Sequence, residues 1–133
     1  MKKVTLDSGN KNPNFIGSWT IEPSLICDDI ISYFEINKPK QKSGKSASGL
    51  NLEIKDSIDM TINPKEIILP GNEAFKRYFD QLFECYKNYV EQWTFLNKIS
   101  ERLEIGSFNI QRYKPGQHFK EIHTERLSID SLH

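Results

Sequence analysis

The sequence predicts an α+β fold on two kinds of periodicity. Two segments repeat apolar residues every three to four positions, as an α-helix requires, and others alternate or run extended with β-branched residues. At 133 residues the chain is one domain at most. Its 37% hydrophobic and 27% charged residues are those of an ordinary globular composition, neither disordered nor fibrous. Eighteen basic residues balance eighteen acidic ones, so no general nucleic-acid-binding footprint is present and no nucleic-acid partner is expected. No apolar run approaches the ~18 residues of a membrane span, the densest short one being Ile67-Ile68-Leu69. The N-terminal MKKVTLDSGNKN has no apolar stretch behind its lysines, so it does not read as a secretory signal, and a cytoplasmic protein is expected.

Taken in order, residues 13–22 (PNFIGSWTIE) mix apolar and β-favouring residues and predict a short strand or extended opening. Pro23-Ser24 then opens an amphipathic helix, with Leu25, Ile26, Ile30, Ile31, Tyr33 and Phe34 on one broad apolar face. Asp28 and Asp29 stand near its N-terminal end, where the helix dipole favours acids. Residues 37–49 (NKPKQKSGKSASG) carry four lysines and nothing apolar larger than Ala, which predicts a flexible Lys-rich loop. Its Gly44-Lys45-Ser46 is not a phosphate-binding loop, because position 39, where that motif needs Gly, is Pro. In residues 50–62, Leu50, Leu52, Ile54, Ile58, Met60 and Ile62 share one parity and predict an extended segment with one buried face.

From Asn72 the period lengthens. Phe75, Tyr78, Phe79, Leu82, Phe83, Tyr86, Tyr89, Val90, Trp93 and Leu96 recur at helical spacing, with Asn72 as the N-cap. This aromatic stripe is scaffold, a long helix packed on a sheet. Cys27 and Cys85 fall in the two helices without metal-type spacing, and two buried, reduced thiols are expected.

The chemistry lies at the end of the chain. Phe108 to Tyr113 alternates strictly, with Phe108 and Ile110 on one face and Asn109, Gln111 and Tyr113 on the other. Lys114-Pro115-Gly116-Gln117 is a turn, and Phe119 to Glu125 reads as the next strand. On a strand His123 and Glu125 project from one face, where an imidazole and a carboxylate supply two parts of a two-His, one-carboxylate site. His118 has the opposite parity to His123, and His133 is terminal, so neither completes the set.

The run FNIQRYKPGQHFKEIHTE, from Phe108 to Glu125, resembles the start of the catalytic core of prolyl 4-hydroxylase-like 2-oxoglutarate/Fe(II) dioxygenases. The upstream order is similar in outline, including a K-D-S-x-D segment from Lys55 to Asp59. The resemblance implies an Fe(II)- and 2-oxoglutarate-dependent hydroxylase acting on a small-molecule or peptide substrate. It implies that His123 and Glu125 bind iron, Glu125 standing where many members carry Asp, and that the Tyr113 hydroxyl hydrogen-bonds the 2-oxoglutarate carboxylate. No residue is assigned as a catalytic acid, base or nucleophile.

The fold it implies is the N-terminal part of a double-stranded β-helix (a jelly roll) with two supporting helices. Residues 1–133 are then one partial oxygenase-like domain, ending before the second iron-binding His and the basic residue for 2-oxoglutarate. Catalysis is expected only if the full-length chain continues beyond residue 133. The competing expectation is a non-catalytic truncated paralogue or fragment serving as an interaction module. A hydrolytic zinc site fits less well, since zinc favours three protein ligands plus water.

Overall fold

The computed structural model describes residues 1–4, 15–98 and 104–122, and combines helices with small open sheets. It forms two compact units. The first comprises Met1–Tyr33 with Lys65–Ile105, and the second Phe34–Pro64 with Gly106–His133.

In the first unit β1 (Lys2–Lys3) pairs antiparallel with β2 (Trp19–Thr20). Helix α1 (Leu25–Ile36) begins where the sequence predicts, just after Pro23-Ser24, and its last three residues belong to the second unit. Ile26 of α1 is buried, whereas Leu25 and Ile31 stay exposed, so the buried stripe is narrower than the apolar composition suggests. Helix α2 (Glu73–Gln92) is shorter than its apolar period, which runs on through a 3-10 segment at Thr94–Lys98. Ala74, Phe75, Cys85 and Val90 of α2 are buried, and the Phe75 ring meets Tyr33 edge-on with centroids 4.9 Å apart. The second half of α2 meets β2 through Trp19, whose indole N–H donates to Asn88 Oδ1 at 3.2 Å and whose ring stands edge-on to Tyr89.

Two expectations for this unit are corrected. Asn72 does precede α2, yet its side chain makes no cap bond; it is buried and donates from Nδ2 to the Glu66 carbonyl at 2.7 Å. The Glu73 carboxylate instead accepts the Gly71 amide, satisfying a donor just ahead of the helix. Both cysteines are free, but only Cys85 is buried; Cys27 lies on the exposed side of α1. Burial pushes the Cys85 thiol above its ordinary pKa.

The second unit holds a three-stranded antiparallel sheet in the order β3 (Lys42–Ser43), β5 (Ile58–Ile62), β6 (Phe108–Arg112). A separate pair joins β4 (Lys55–Asp56) to β7 (His118–Phe119). The Lys-rich stretch 37–49 carries a 3-10 turn at Lys38–Lys40 and edge strand β3, neither of which its composition announces. Backbone pairing to β5 needs no apolar side chain, and lysines suit an edge strand. Leu50 and Leu52 are exposed, outside the alternation, and the extended run begins only at Lys55. From there Met60 and Ile62 are fully buried as expected, but Lys55 and Ser57 of the opposite parity are buried as well.

β4 and β5 form one nearly continuous extended run, broken at Ser57, and β6 and β7 lie along it in succession. Ile58 pairs with Arg112 and Asp56 with His118, so residues 113–117 loop out opposite Ser57. The predicted Pro-Gly turn sits in that loop, with Gly116 at φ 89° and the Gln117 amide donating to the Lys114 carbonyl at 2.9 Å. It links two strands running the same way along one partner.

A polar sheet face as the candidate functional site

Strand parity divides the sheet of the second unit into two chemically different faces. Ile58, Met60 and Ile62 pair with Arg112, Ile110 and Phe108 on one side. The other side carries Lys55, Ser57, Asp59 and Thr61 from the long run and Asn109 and Gln111 from β6, with Tyr113 next in that parity. Cross-strand partners on the polar face are bonded in pairs. Thr61 Oγ1 donates to Asn109 Oδ1 at 2.7 Å, and Gln111 Nε2 donates to Asp59 Oδ2 at 3.4 Å.

At the centre is an ion pair between a buried lysine and a half-buried aspartate. Lys55 Nζ lies 2.7 Å from Asp59 Oδ2, with side-chain exposures of 4% and 13%. Ser57, itself buried, donates its hydroxyl to Asp59 Oδ1 at 2.7 Å, so both carboxylate oxygens are engaged. The Lys55 ammonium also donates to the Lys45 carbonyl at 3.5 Å and stands 5.4 Å from the centroid of the Phe119 ring. The desolvated Lys55 ammonium depends on this carboxylate; removing one partner of a fully buried pair typically costs about 3–5 kcal/mol, and the partial exposure of Asp59 sets that as the upper bound here.

Gly44 closes this cluster. Its amide donates to the Ser57 carbonyl at 2.9 Å, and a Cβ there would fall 2.1 Å from Ser57 Oγ and 3.1 Å from Asp59 Oδ1. Only a residue without a side chain brings the edge strand this close.

Tyr113 stands at the edge of the polar face, 39% exposed, and its hydroxyl donates to Gln111 Oε1 at 3.3 Å. Alternation places it with Asn109 and Gln111, as the sequence predicts. His118 is half-buried and held by backbone carbonyls, Glu53 at 3.1 Å from Nε2 and Gly116 at 3.4 Å from Nδ1. Asp56, of the opposite parity, accepts Gln117 Nε2 at 2.8 Å, which ties the Pro-Gly loop to the long run.

His123 and Glu125, the expected iron ligands, lie outside the described residues. Among the described residues no group of three or more His, Cys, Asp or Glu side chains is placed to hold a metal ion, and no helix is long and apolar enough to cross a membrane. The first unit carries a separate open cavity of about 760 Å³ beside β1 and β2, lined by Lys2, Lys3, Thr20 and Glu22 among others.

Sequence reasoning left the Lys55-Ser57-Asp59 cluster and Gln111 without individual roles. Their signal was available: three polar residues at i, i+2 and i+4, opposite in parity to Ile58, Met60 and Ile62. What it lacked was the burial of Lys55 and Ser57 on that second face, where the chain at Gly44 approaches them closely. No protein-family model, no curated protein and no solved structure matches this chain.

Proposed function

We propose that the chain is the N-terminal part of the catalytic domain of a prolyl 4-hydroxylase-like Fe(II)- and 2-oxoglutarate-dependent dioxygenase, built on a double-stranded β-helix. The observation that carries the reading is the Tyr113 hydroxyl, presented with solvent access on the polar face of an antiparallel sheet, immediately before the Pro-Gly loop that leads to β7. A phenol hydroxyl is a neutral donor suited to a carboxylate, and its present acceptor is an exposed amide that a carboxylate can replace. Tyr113 therefore fits the co-substrate role.

In this reading His123 and Glu125 hold the iron. They stand two apart, the spacing that shares one face of an extended strand; the strand expected over Phe119 to Glu125 is shorter in the structure, where β7 ends at Phe119 and the chain bends at Glu121. Bound iron and 2-oxoglutarate would supply the oxygen-activating chemistry. The chain's own part is to orient the co-substrate through Tyr113, and the Lys55–Asp59 pair keeps the strand beneath it in register.

The test is 2-oxoglutarate binding to the full chain by calorimetry with Mn(II) as a redox-silent metal. Binding that needs the metal, is abolished by His123→Ala with Glu125→Ala, and weakens about tenfold or more in Tyr113→Phe supports the reading, because a hydrogen bond to a charged group contributes about 1.5–3 kcal/mol. Metal-independent binding, or equal affinity in Tyr113→Phe, overturns it. The second reading, a non-catalytic interaction module, draws on Leu82 and Phe83 of α2, both about half exposed. It predicts no 2-oxoglutarate binding and a loss of partner capture in Leu82→Ser/Phe83→Ser.

A further inference from the structure

We propose that Asp59 is a positioning residue for Tyr113, acting through Gln111. A carboxylate only accepts hydrogen bonds, so Asp59 Oδ2 draws the amino end of the Gln111 amide, 3.4 Å away. That turns the amide oxygen toward the Tyr113 hydroxyl, which donates to it at 3.3 Å. Asp59 is itself fixed, because Lys55 Nζ and Ser57 Oγ each lie 2.7 Å from one of its oxygens. The chain of contacts therefore runs from a half-buried, doubly anchored carboxylate to a solvent-accessible phenol, and each link has one sensible polarity. With the Asp59 anchor removed, the exposed Gln111 amide is free to invert and present its amino group to the phenol. The inverted amide no longer accepts the phenol proton, and the hydroxyl loses its fixed direction.

The inference deepens the co-substrate reading of Tyr113 and rests on it; its structural half is measurable without metal or 2-oxoglutarate. The full chain labelled at tyrosine Cζ gives five resonances, and Tyr113 is assigned with Tyr113→Phe. Tyr33, Tyr78, Tyr86 and Tyr89 belong to the first unit and report on general loosening. Asp59→Leu, which leaves no acceptor for the Gln111 amino group, should displace the Tyr113 resonance alone. Because Asp59→Leu strands the Lys55 ammonium and can fail to fold, the paired variant Lys55→Met/Asp59→Leu, which removes the whole ion pair, carries the same expectation. Gln111→Met, at an exposed position, should move the same resonance.

With Mn(II) present, Asp59→Leu or the paired variant should weaken 2-oxoglutarate binding about fivefold, the size of one ordinary hydrogen bond. A Tyr113 resonance unmoved in a folded Asp59 variant overturns the inference, and does so alone if Tyr113→Phe still weakens binding. Displacement of all five resonances together also overturns it, since Asp59 would then act through general stability. A displaced Tyr113 resonance with unchanged affinity in Tyr113→Phe sinks the co-substrate reading itself, and the inference with it.

Discussion

Replacing Gly44 with alanine isolates the close contact at the polar face. In an ordinary strand position the change is favourable by about 0.5–1 kcal/mol, because glycine loses more backbone freedom on folding. Here the added Cβ would lie 2.1 Å from Ser57 Oγ, and the hydroxyl must retreat by over an ångström to reach ordinary contact. Rotating Ser57 away breaks its 2.7 Å bond to Asp59, a charge-assisted bond of about 1.5–3 kcal/mol. Holding Ser57 in place instead moves the edge strand, an overpacking cost of about 1–3 kcal/mol. At the middle of its range either route outweighs the backbone gain, and the expected net loss is about 1.5 kcal/mol, or roughly 12-fold in an opening equilibrium.

The readout must be local to this unit. Trp19 and Trp93 both lie in the first unit, so tryptophan fluorescence would miss the change. Amide hydrogen exchange across the β5–β6 ladder reads it directly, and Gly44→Ala should accelerate those amides about 12-fold. Ser57→Ala removes the clashing atom, so the double variant should cost no more than Ser57→Ala alone, a coupling of about 1.5 kcal/mol. Unchanged or slower exchange in Gly44→Ala, or two effects that simply add, would refute the close approach of the edge strand.

The first unit yields two further predictions. Phe75 is buried at 1% exposure and meets Tyr33 edge-on, so Phe75→Ala should cost about 3–5 kcal/mol in urea unfolding followed by tryptophan fluorescence; a loss under about 1 kcal/mol would contradict that burial. Backbone N–H groups of Glu73 itself and Gly71 hold the Glu73 carboxyl below its ordinary pKa. A lowered folded-state pKa contributes stability above the unfolded value and loses it as pH falls through the folded one. The urea midpoint of the wild type should therefore exceed that of Glu73→Gln at pH 7, and the gap should close below about pH 4; a gap that persists or widens in acid would contradict the assignment.

Local structure was legible in the sequence wherever side-chain periodicity decides it. The three-to-four spacing around Phe75, Tyr86 and Val90 sets α2, because a helix is stabilised by burying one stripe. The alternation from Phe108 to Arg112 sets β6 and places Tyr113 on the polar side, because strand side chains change face at every residue. The Pro115-Gly116 turn follows from proline's fixed φ and glycine's tolerance of positive φ. The tertiary structure decided what periodicity cannot encode. Edge strand β3 forms by backbone pairing alone, which leaves no apolar pattern in a Lys-rich stretch. The side chain of Asn72 turns from the helix cap to the Glu66 carbonyl, a choice set by local chain geometry rather than residue type. Above all, Lys55, Ser57 and Asp59 read as a solvated strand face, and become a mutually bonded cluster with Lys55 and Ser57 buried where Gly44 lets a neighbouring strand approach within contact of their polar atoms. Burial is a property of what arrives from elsewhere in the chain, and no spacing within 55–59 records it.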